Sequence, residues 1–436
     1  APKVGDAYLS SDSNWHSILV GSTGGGGKSI FALDVTSPDS FSTTDILWEI
    51  STTTAPVASD LSAFQTHLGF TLPQSSIVKM QNGQWAAIVA NGYESTNQTA
   101  VLFVIDIETG AIIREIDTGI GSGANPNGLS TPIPVDVNGD RITDAVYAGD
   151  LHGNMWKFDV SNSDVSQWQL AFGGSALYVA LDDASTPNKQ PISSKPQVGP
   201  HPDGGVMVYF GTGKYYEVGD QVVATPPKEQ TFYAIRDTGS NVTSRTTLQA
   251  QVIQFEERIE SLKIDVRVTS ETTVDYTSKS GWYIDLVSPE ENGGNGEGER
   301  VVSAPLLRGG RIIFTTMIPE GDPCGFGGSS WLMELDAVNG RRLDNAPFDI
   351  DQDGDFDNDD LLATIDSNGD GVIDENDSVN ISGIRRDDVG IIKTPGVVST
   401  GNNTEVKYVS GTSGKLEVFF ESAGEPFGRQ SWRQLR

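Results

Sequence analysis

Asp144-Ala-Val-Tyr-Ala-Gly149, then a tight turn, then Asn154-Met-Trp-Lys-Phe-Asp159 sets the pattern of this chain. An apolar run ends in small residues and Gly, the chain turns, and a return run of alternating apolar residues closes on Asp. Two such runs around a Gly-containing turn read as an antiparallel hairpin. The unit recurs along the whole chain. Trp15 to Gly21 leads to Ser29–Asp34, Trp85 to Gly92 to Val101–Asp106, and Val206 to Gly213 to Thr231–Asp237. Arg311 to Pro319 leads to Ser330–Asp336, and Glu405 to Ser410 to Lys415–Phe419. Gly281–Asp285 reads as one more second strand. Two copies continue into Thr-Gly or Asn-Gly, at Asp106–Gly110 and Asp336–Gly340, and turn into a further strand.

The Asp anchors lie roughly 50 to 80 residues apart, because loops of different length interrupt the repeat. A small antiparallel unit that cannot bury both of its faces alone stacks against copies of itself. The expectation is therefore an all-β chain forming a β-propeller over residues 1–436, with a set of β-sandwiches as the rival. Two regions break the repeat. Residues 286–300 are rich in Gly, Glu and Asn and read as a solvated loop. Residues 345–385 are an acidic insertion, with a short helix expected over Asp359–Ile365.

Composition agrees with many short strands joined by turns: the chain has 49 Gly and 21 Pro in 436 residues. Asp and Glu number 59 against 29 Lys and Arg, a formal charge of −30. Such a surface repels phosphate backbones, so no nucleic-acid partner is expected. It attracts divalent cations. No run of about 18 apolar residues exists to form a transmembrane segment. The single cysteine, Cys324, leaves no intramolecular disulfide to form. Ala1-Pro2-Lys3-Val4 lacks a signal-peptide pattern, which suggests a mature product or a piece of something longer.

Three Asp/Asn-rich loops carry the chemistry. Calcium prefers about six to eight oxygen ligands, and alternate residues of a tight loop can wrap one ion. The first loop is Asp136-Val-Asn-Gly-Asp-Arg-Ile-Thr-Asp144. Asp136, Asn138, Asp140 and Asp144 stand at positions 1, 3, 5 and 9, with the Ile142 carbonyl at 7. It joins strand to strand. The second loop places Asp349, Asp351 and Asp353 at 1, 3 and 5, Gly354 at 6, and Asp355, Asp357 and Asp360 at 7, 9 and 12. The third repeats this with Asp366, Asn368, Asp370, Gly371, Val372, Asp374 and Asp377. Both resemble EF-hand loops with Asp replacing Glu at 12, and their tandem arrangement is dockerin-like. One Ca²⁺ is expected in the propeller loop and up to two in the insertion, with structural stapling as the default role.

Other signals lead nowhere. Gly21-Ser-Thr-Gly-Gly-Gly-Gly-Lys-Ser29 nearly spells a phosphate-binding loop. However, Ser22 occupies the required glycine position, and a strand follows where a helix is needed. The four His show no metal-ligand spacing. No Gly-x-Ser-x-Gly elbow is present.

Several stretches together resemble one family. They are Trp15–Gly21 with Lys28–Thr36, Pro134–Asp140 through Tyr147–Asp159, Val208–Tyr215, Glu299–Ser303 through Ser329–Asp336, and Gly428–Leu435. Across nearly the whole chain they are similar to the C-terminal propeller of the PilC/PilY family, the type IV pilus biogenesis factors and tip adhesins. The resemblance implies a modified, about seven-bladed β-propeller, its ring left incomplete because the chain starts after the family's first propeller strands. It implies a non-enzymatic factor at the pilus tip, on the cell surface or outside it, with an outer-membrane association as an alternative. That factor would support pilus extension against retraction, and so surface attachment and twitching motility. Minor pilins and a host or abiotic surface would be its partners. The family's calcium site falls on Asp136, Asn138, Asp140, Ile142 and Asp144. No Arg-Gly-Asp triplet is present, the family's large N-terminal part is absent, and the third loop is extra. Two further readings stand beside this one. A quinoprotein-like propeller dehydrogenase would need a pair of adjacent cysteines, which Cys324 alone cannot supply. A lectin-like or minor-pilin-binding module would lack the regulatory role.

Overall fold

Every side chain of the facing runs 86–90 and 101–105 is buried. Successive strand residues point to opposite faces, so both faces of this sheet must be covered. Ala87, Val89, Val101, Phe103 and Ile105 join a core with Ala7, Ile18, Val20, Ile30, Ala32, Trp48 and Ile50. Ala86, Ile88, Ala90, Leu102 and Val104 join another with Val146, Ala148, Trp156 and Phe158. Consecutive sheets therefore stack face to face.

The computed structural model describes residues 2–182, 187–289, 296–322, 326–351, 353–367, 370–400 and 404–423. Cys324, Asn368 and the stretch 428–435 lie outside the described residues. The chain forms two compact units. The first comprises Ala1–Leu181, Lys189–Val198 and Asp237–Thr243; the second comprises Asp182–Asn188, Gly199–Arg236 and Ser244–Arg436.

In the first unit each sheet is an antiparallel meander in chain order. Lys3–Leu9, Asn14–Ser22, Ser29–Asp34 and Ile46–Ser51 form the first. Ser76–Lys79, Trp85–Ala90, Val101–Asp106 and Ile112–Asp117 form the second. Ile133–Val135, Ala145–Gly149, Asn154–Asp159 and Gln169–Leu170 form the third. The short helix Leu61–His67 buries Phe64 in the first core. The glycine-rich run after Gly21 is a hairpin turn between two strands of the first sheet, as its sequence implied.

A fourth sheet runs Gln197–Pro200, Val206–Gly211, Thr231–Asp237, Gly281–Asp285, then Gln249–Gln251. Gly281–Asp285 is thus not the return strand of its own hairpin. It pairs antiparallel with Thr231–Asp237 and parallel with Gln249–Gln251. A six-stranded sheet is ordered Ile253–Ile259, Ile264–Thr269, Gly383–Arg386, Leu332–Asp336, Arg311–Thr315, Leu306–Arg308. Its first two strands form a hairpin that the repeat pattern did not reveal. The last sheet is Gly396–Ser399, Thr404–Ser410 and Leu416–Ser422.

The two Asp-x-x-Thr/Asn-Gly turns fasten one sheet to the next. Asp106 accepts hydrogen bonds from the Thr109 N–H and hydroxyl, both 2.8 Å, and the Gly110 N–H closes the turn on the Asp106 carbonyl. Gly110 sits at φ +72°. Trp48, from the neighbouring sheet, lies over it and donates its indole N–H to the Ile107 carbonyl at 2.9 Å. Gly340, at φ +71°, repeats this under Trp282, whose N–H reaches the Ala337 carbonyl at 3.2 Å. A Cβ on Gly110 would fall 2.7 Å from the Trp48 ring. Gly110→Ala should therefore cost about 2–4 kcal/mol, from left-handed strain plus overpacking. Urea unfolding checks this; a loss below about 0.5 kcal/mol, the range of a neutral surface change, would remove the docking account.

Within the first sheet, His16 bridges Asp34 (2.5 Å) and Asp12 (3.0 Å). Burial works to lower its pKa, but the hydrogen bonds to Asp34 and Asp12 outweigh it and the value is raised. A raised pKa stabilises the fold fully below the ordinary His value, and that stability is lost as pH rises through the raised one. The gap in melting temperature between the parent and His16→Asn should narrow from pH 6 towards pH 9 (about the His titration range). A gap that widens would reverse the assignment.

Candidate functional site

The first loop lies between the strands Ile133–Val135 and Ala145–Gly149. Asp and Asn side chains readily accept hydrogen bonds from backbone N–H groups two or three residues on, which folds such a segment into a tight coil. Asp136 accepts N–H groups from Gly139 (2.7 Å), Asp140 (3.2 Å) and Arg141 (2.6 Å). Asn138 accepts from Asp140 at 2.9 Å, and Asp140 from Ile142 at 2.8 Å. Asp144 reaches back to the Val137 N–H at 2.8 Å. All four side chains thus hydrogen-bond to the backbone of their own loop. Gln81, from the second sheet, was not legible in the sequence as part of this site: its amide donates to Asp144 Oδ1 at 2.9 Å.

The second and third loops, 17 residues apart, share several equivalent hydrogen bonds among the described residues. In each, the position-6 glycine adopts positive φ, +93° at Gly354 and +85° at Gly371. Each donates to the position-1 carboxylate, at 3.2 Å to Asp349 and 2.8 Å to Asp366. Position 7 donates to position 5, Asp355 to Asp353 and Val372 to Asp370. The acid at position 12 turns back under the loop. Asp360 accepts from Ile350 (2.5 Å) and Asp357 (3.2 Å), and Asp377 from Ser367 and Asp374 (both 2.9 Å). Asp360 is 2% exposed and Asp377 fully buried. The oxygens of Asp349, Asp351 and Asp353 gather within 4.8 Å of one another. Asn368 lies outside the described residues.

The helix expected over Asp359–Ile365 does not form. Asp357 caps a 3-10 turn at Asn358–Asp360, and Leu362 then pairs with Val379, with backbone bonds of 2.9 and 3.0 Å. Leu362 and Val379 each stand two residues after their loop's position-12 acid, so the two loops are joined at equivalent places. Backbone pairing with the sister loop prevails over helix propensity. The insertion is also no solvated appendage. Phe348, Ile350, Leu362, Ile365, Val379 and Ile381 share a core with Ile264, Val266, Val409 and Phe419.

The donor set is all oxygen, mixing carboxylates, an amide and backbone carbonyls, which suits a hard divalent cation. Burial raises the Asp360 pKa, helped by the charge of Asp349, while the N–H groups of Ile350 and Asp357 work against it. Replacing Asp360 with Ala would leave those two donors unmatched beneath the loop. In chelator, this should cost about 1–3 kcal/mol. Asp359→Ala, on the exposed side, should cost less than about 0.5 kcal/mol. Equal losses in denaturant melts would contradict the buried role of position 12.

Comparison with known proteins places these features in a family. Residues 1–263 match the family model described as the PilY1 beta-propeller domain. A type IV pilus biogenesis factor PilY1 homolog from Xylella fastidiosa is 41% identical over 350 residues, 77% of this chain and 22% of that protein. PilY1 of Pseudomonas aeruginosa strain UCBPP-PA14 is 31% identical over 475 residues, 99% of this chain and 37% of that protein. The crystal structure of the P. aeruginosa PilY1 C-terminal domain superposes with a TM-score of 0.78 at 30% identity, covering 97% of this chain and 83% of that one. The chain spans well under half the length of these curated relatives. With stacked antiparallel sheets along its length and this match over nearly all of it, the chain belongs to the PilY1 family and has that family's β-propeller fold.

Proposed function

We propose that this chain is the calcium-binding propeller of a pilus-associated factor, non-enzymatic, acting at the pilus tip on the cell surface. In this reading it supports type IV pilus extension against retraction, and through it surface adhesion and twitching motility, with minor pilins as partners. The observation that carries the reading is the coil of Asp136–Asp144 in a PilY1 propeller, where Asp136, Asn138, Asp140 and Asp144 each accept a backbone N–H of their own loop. Calcium, when bound, would supply the positive charge that holds Asp136, Asn138, Asp140, Asp144 and the Ile142 carbonyl together. It would lock the connection between the first two strands of the third sheet. Sites of this extracellular kind bind at about 10⁻⁴ to 10⁻³ M, a range in which surrounding calcium sets occupancy. The paired loops at 349–377 would hold up to two more ions for structure, since their apolar residues already belong to a core.

Asp144→Ala should remove one calcium equivalent by calorimetry while leaving binding at 349–377 intact. Unchanged stoichiometry would sink the assignment of the first loop. The same substitution in the full-length protein should alter twitching if that site regulates the pilus.

A further inference from the structure

We propose that the first unit carries a binding site for a carboxylated sugar ring, next to the Asp136–Asp144 loop. A cavity of about 550 Å³ opens there, of small-ligand size. Trp15 projects from the strand Asn14–Ser22 with 60% of its surface exposed, and Tyr8, its cross-strand partner, is 41% exposed. Trp15 meets Tyr8 at 5.8 Å and Trp85 at 5.4 Å, both edge-on at 73° and 75°. Edge contacts hold the indole in place while more than half of it stays in water, an arrangement that favours a ligand with an apolar face.

The polar groups around the rings divide by charge. The three carboxylates lining the cavity, Asp106, Glu108 and Asp140, each accept hydrogen bonds from the walls, Asp140 from the Ile142 N–H at 2.8 Å. Asp106 accepts from Thr109 and from the Gln84 amide at 2.8 Å. Glu108 accepts from Ser10 at 2.8–3.0 Å and from Ser11 at 2.8 Å. The two cations lining the cavity, Lys79 and Arg141, have no ion-pair or side-chain hydrogen-bond partner among the described residues. Two cations without a carboxylate partner at the rim of an aromatic cavity offer an anionic group direct, charge-assisted hydrogen bonds. A pyranose ring bearing a carboxylate answers both features. Its C–H face covers an indole, its hydroxyls meet the polar rim, and its carboxylate meets Lys79 and Arg141. An acidic peptide would satisfy the cations but leave the indole faces bare.

Arg141 links this site to the loop. It sits at φ +69° between Asp140 and Ile142, and its N–H is held by Asp136. Whatever fixes the coil fixes the backbone from which the Arg141 side chain projects. Binding of the acidic sugar is therefore calcium-dependent.

The inference deepens the adhesion reading by naming a ligand class, but its test is a binding measurement on the 436-residue chain and needs no pilus. A galacturonic-acid trisaccharide and its neutral galactose counterpart would be titrated in calcium, read by tryptophan fluorescence and calorimetry. The acidic sugar should bind about tenfold or more tighter than the neutral one, a charge-assisted preference. Trp15→Ala should weaken both by about tenfold at an unchanged unfolding midpoint, as expected for an exposed stacking ring. The double variant Lys79→Gln/Arg141→Gln should bind both sugars equally. Chelator should weaken the acidic sugar. Absence of binding by either sugar, or equal displacement by hexaglutamate, overturns the site. Acidic-sugar binding unchanged in chelator overturns its link to the loop. Sugar binding without cell attachment would fail the adhesion reading and leave this one standing.

Discussion

A tryptophan packed against a left-handed glycine is the contact that fixes how neighbouring sheets meet at two junctions. Sheets twist, and two twisted sheets packed face to face slide unless something fixes their offset. Apolar cores supply most of the stabilisation but little directionality. Trp48 over Gly110 and Trp282 over Gly340 supply the direction. Each indole both fills the space a side chain would occupy and donates one hydrogen bond to a carbonyl of the neighbouring turn. The Asp that opens each turn orients that carbonyl. One five-residue motif therefore sets strand reversal, glycine conformation and sheet offset together, which is why it appears at matched places in two different sheets.

Much of this was legible in the sequence. The Asp-terminated hairpins at 15–34, 85–106, 144–159 and 311–336, and the last hairpin at 405–419, all form with the partners expected of them. The Asp/Asn/Gly composition of 136–144 and 349–377 also foretold tight turns held by side-chain-to-backbone hydrogen bonds, because Asx hydrogen bonding is local. What escaped was decided at long range. Gly281–Asp285 reads locally like a return strand, yet its neighbour is fixed by two different segments. Leu361–Ile365 has the apolar content of a short helix, yet Leu362 finds Val379 instead. The Trp15 cavity assembles residues from three sheets, and no sequence window contains them.

The insertion shows how an acidic segment can be part of a core. Its carboxylates and its buried apolar residues lie close in the chain, Ile350 directly between Asp349 and Asp351. Asp349, Asp351 and Asp353 face one another, while Ile350, Leu362 and Ile365 pack below. The mutual repulsion of those carboxylates opposes the packing of Ile350, which lies between the first two. A divalent cation would remove the opposition, so ion binding and core formation in this segment favour the same conformation.

That conformation reaches the last sheet by backbone. Asp349 donates its N–H to the Phe420 carbonyl at 3.3 Å, and Ser422 donates to the Pro347 carbonyl at 3.2 Å. The strand Leu416–Ser422 is thus held on one side by the segment that begins the second loop. On the other side it is held by charge. The fully buried Lys407 pairs with Glu421 and with Glu334, and Arg311 reaches the far oxygen of Glu334 at 2.8 Å. Glu405 accepts from Arg308 at 2.5 Å. Such a network adds little stability over an apolar core, but removing one partner strands a buried charge at a cost of about 3–5 kcal/mol. Its consequence is register. A one-residue slip of Thr404–Ser410 would turn Glu405 and Lys407 away from their partners, so the ions admit a single alignment. The alignment that satisfies them is also the one that presents Phe420 and Ser422 to the insertion. Seating of the last sheet and ordering of the segment that begins the second loop therefore favour one another.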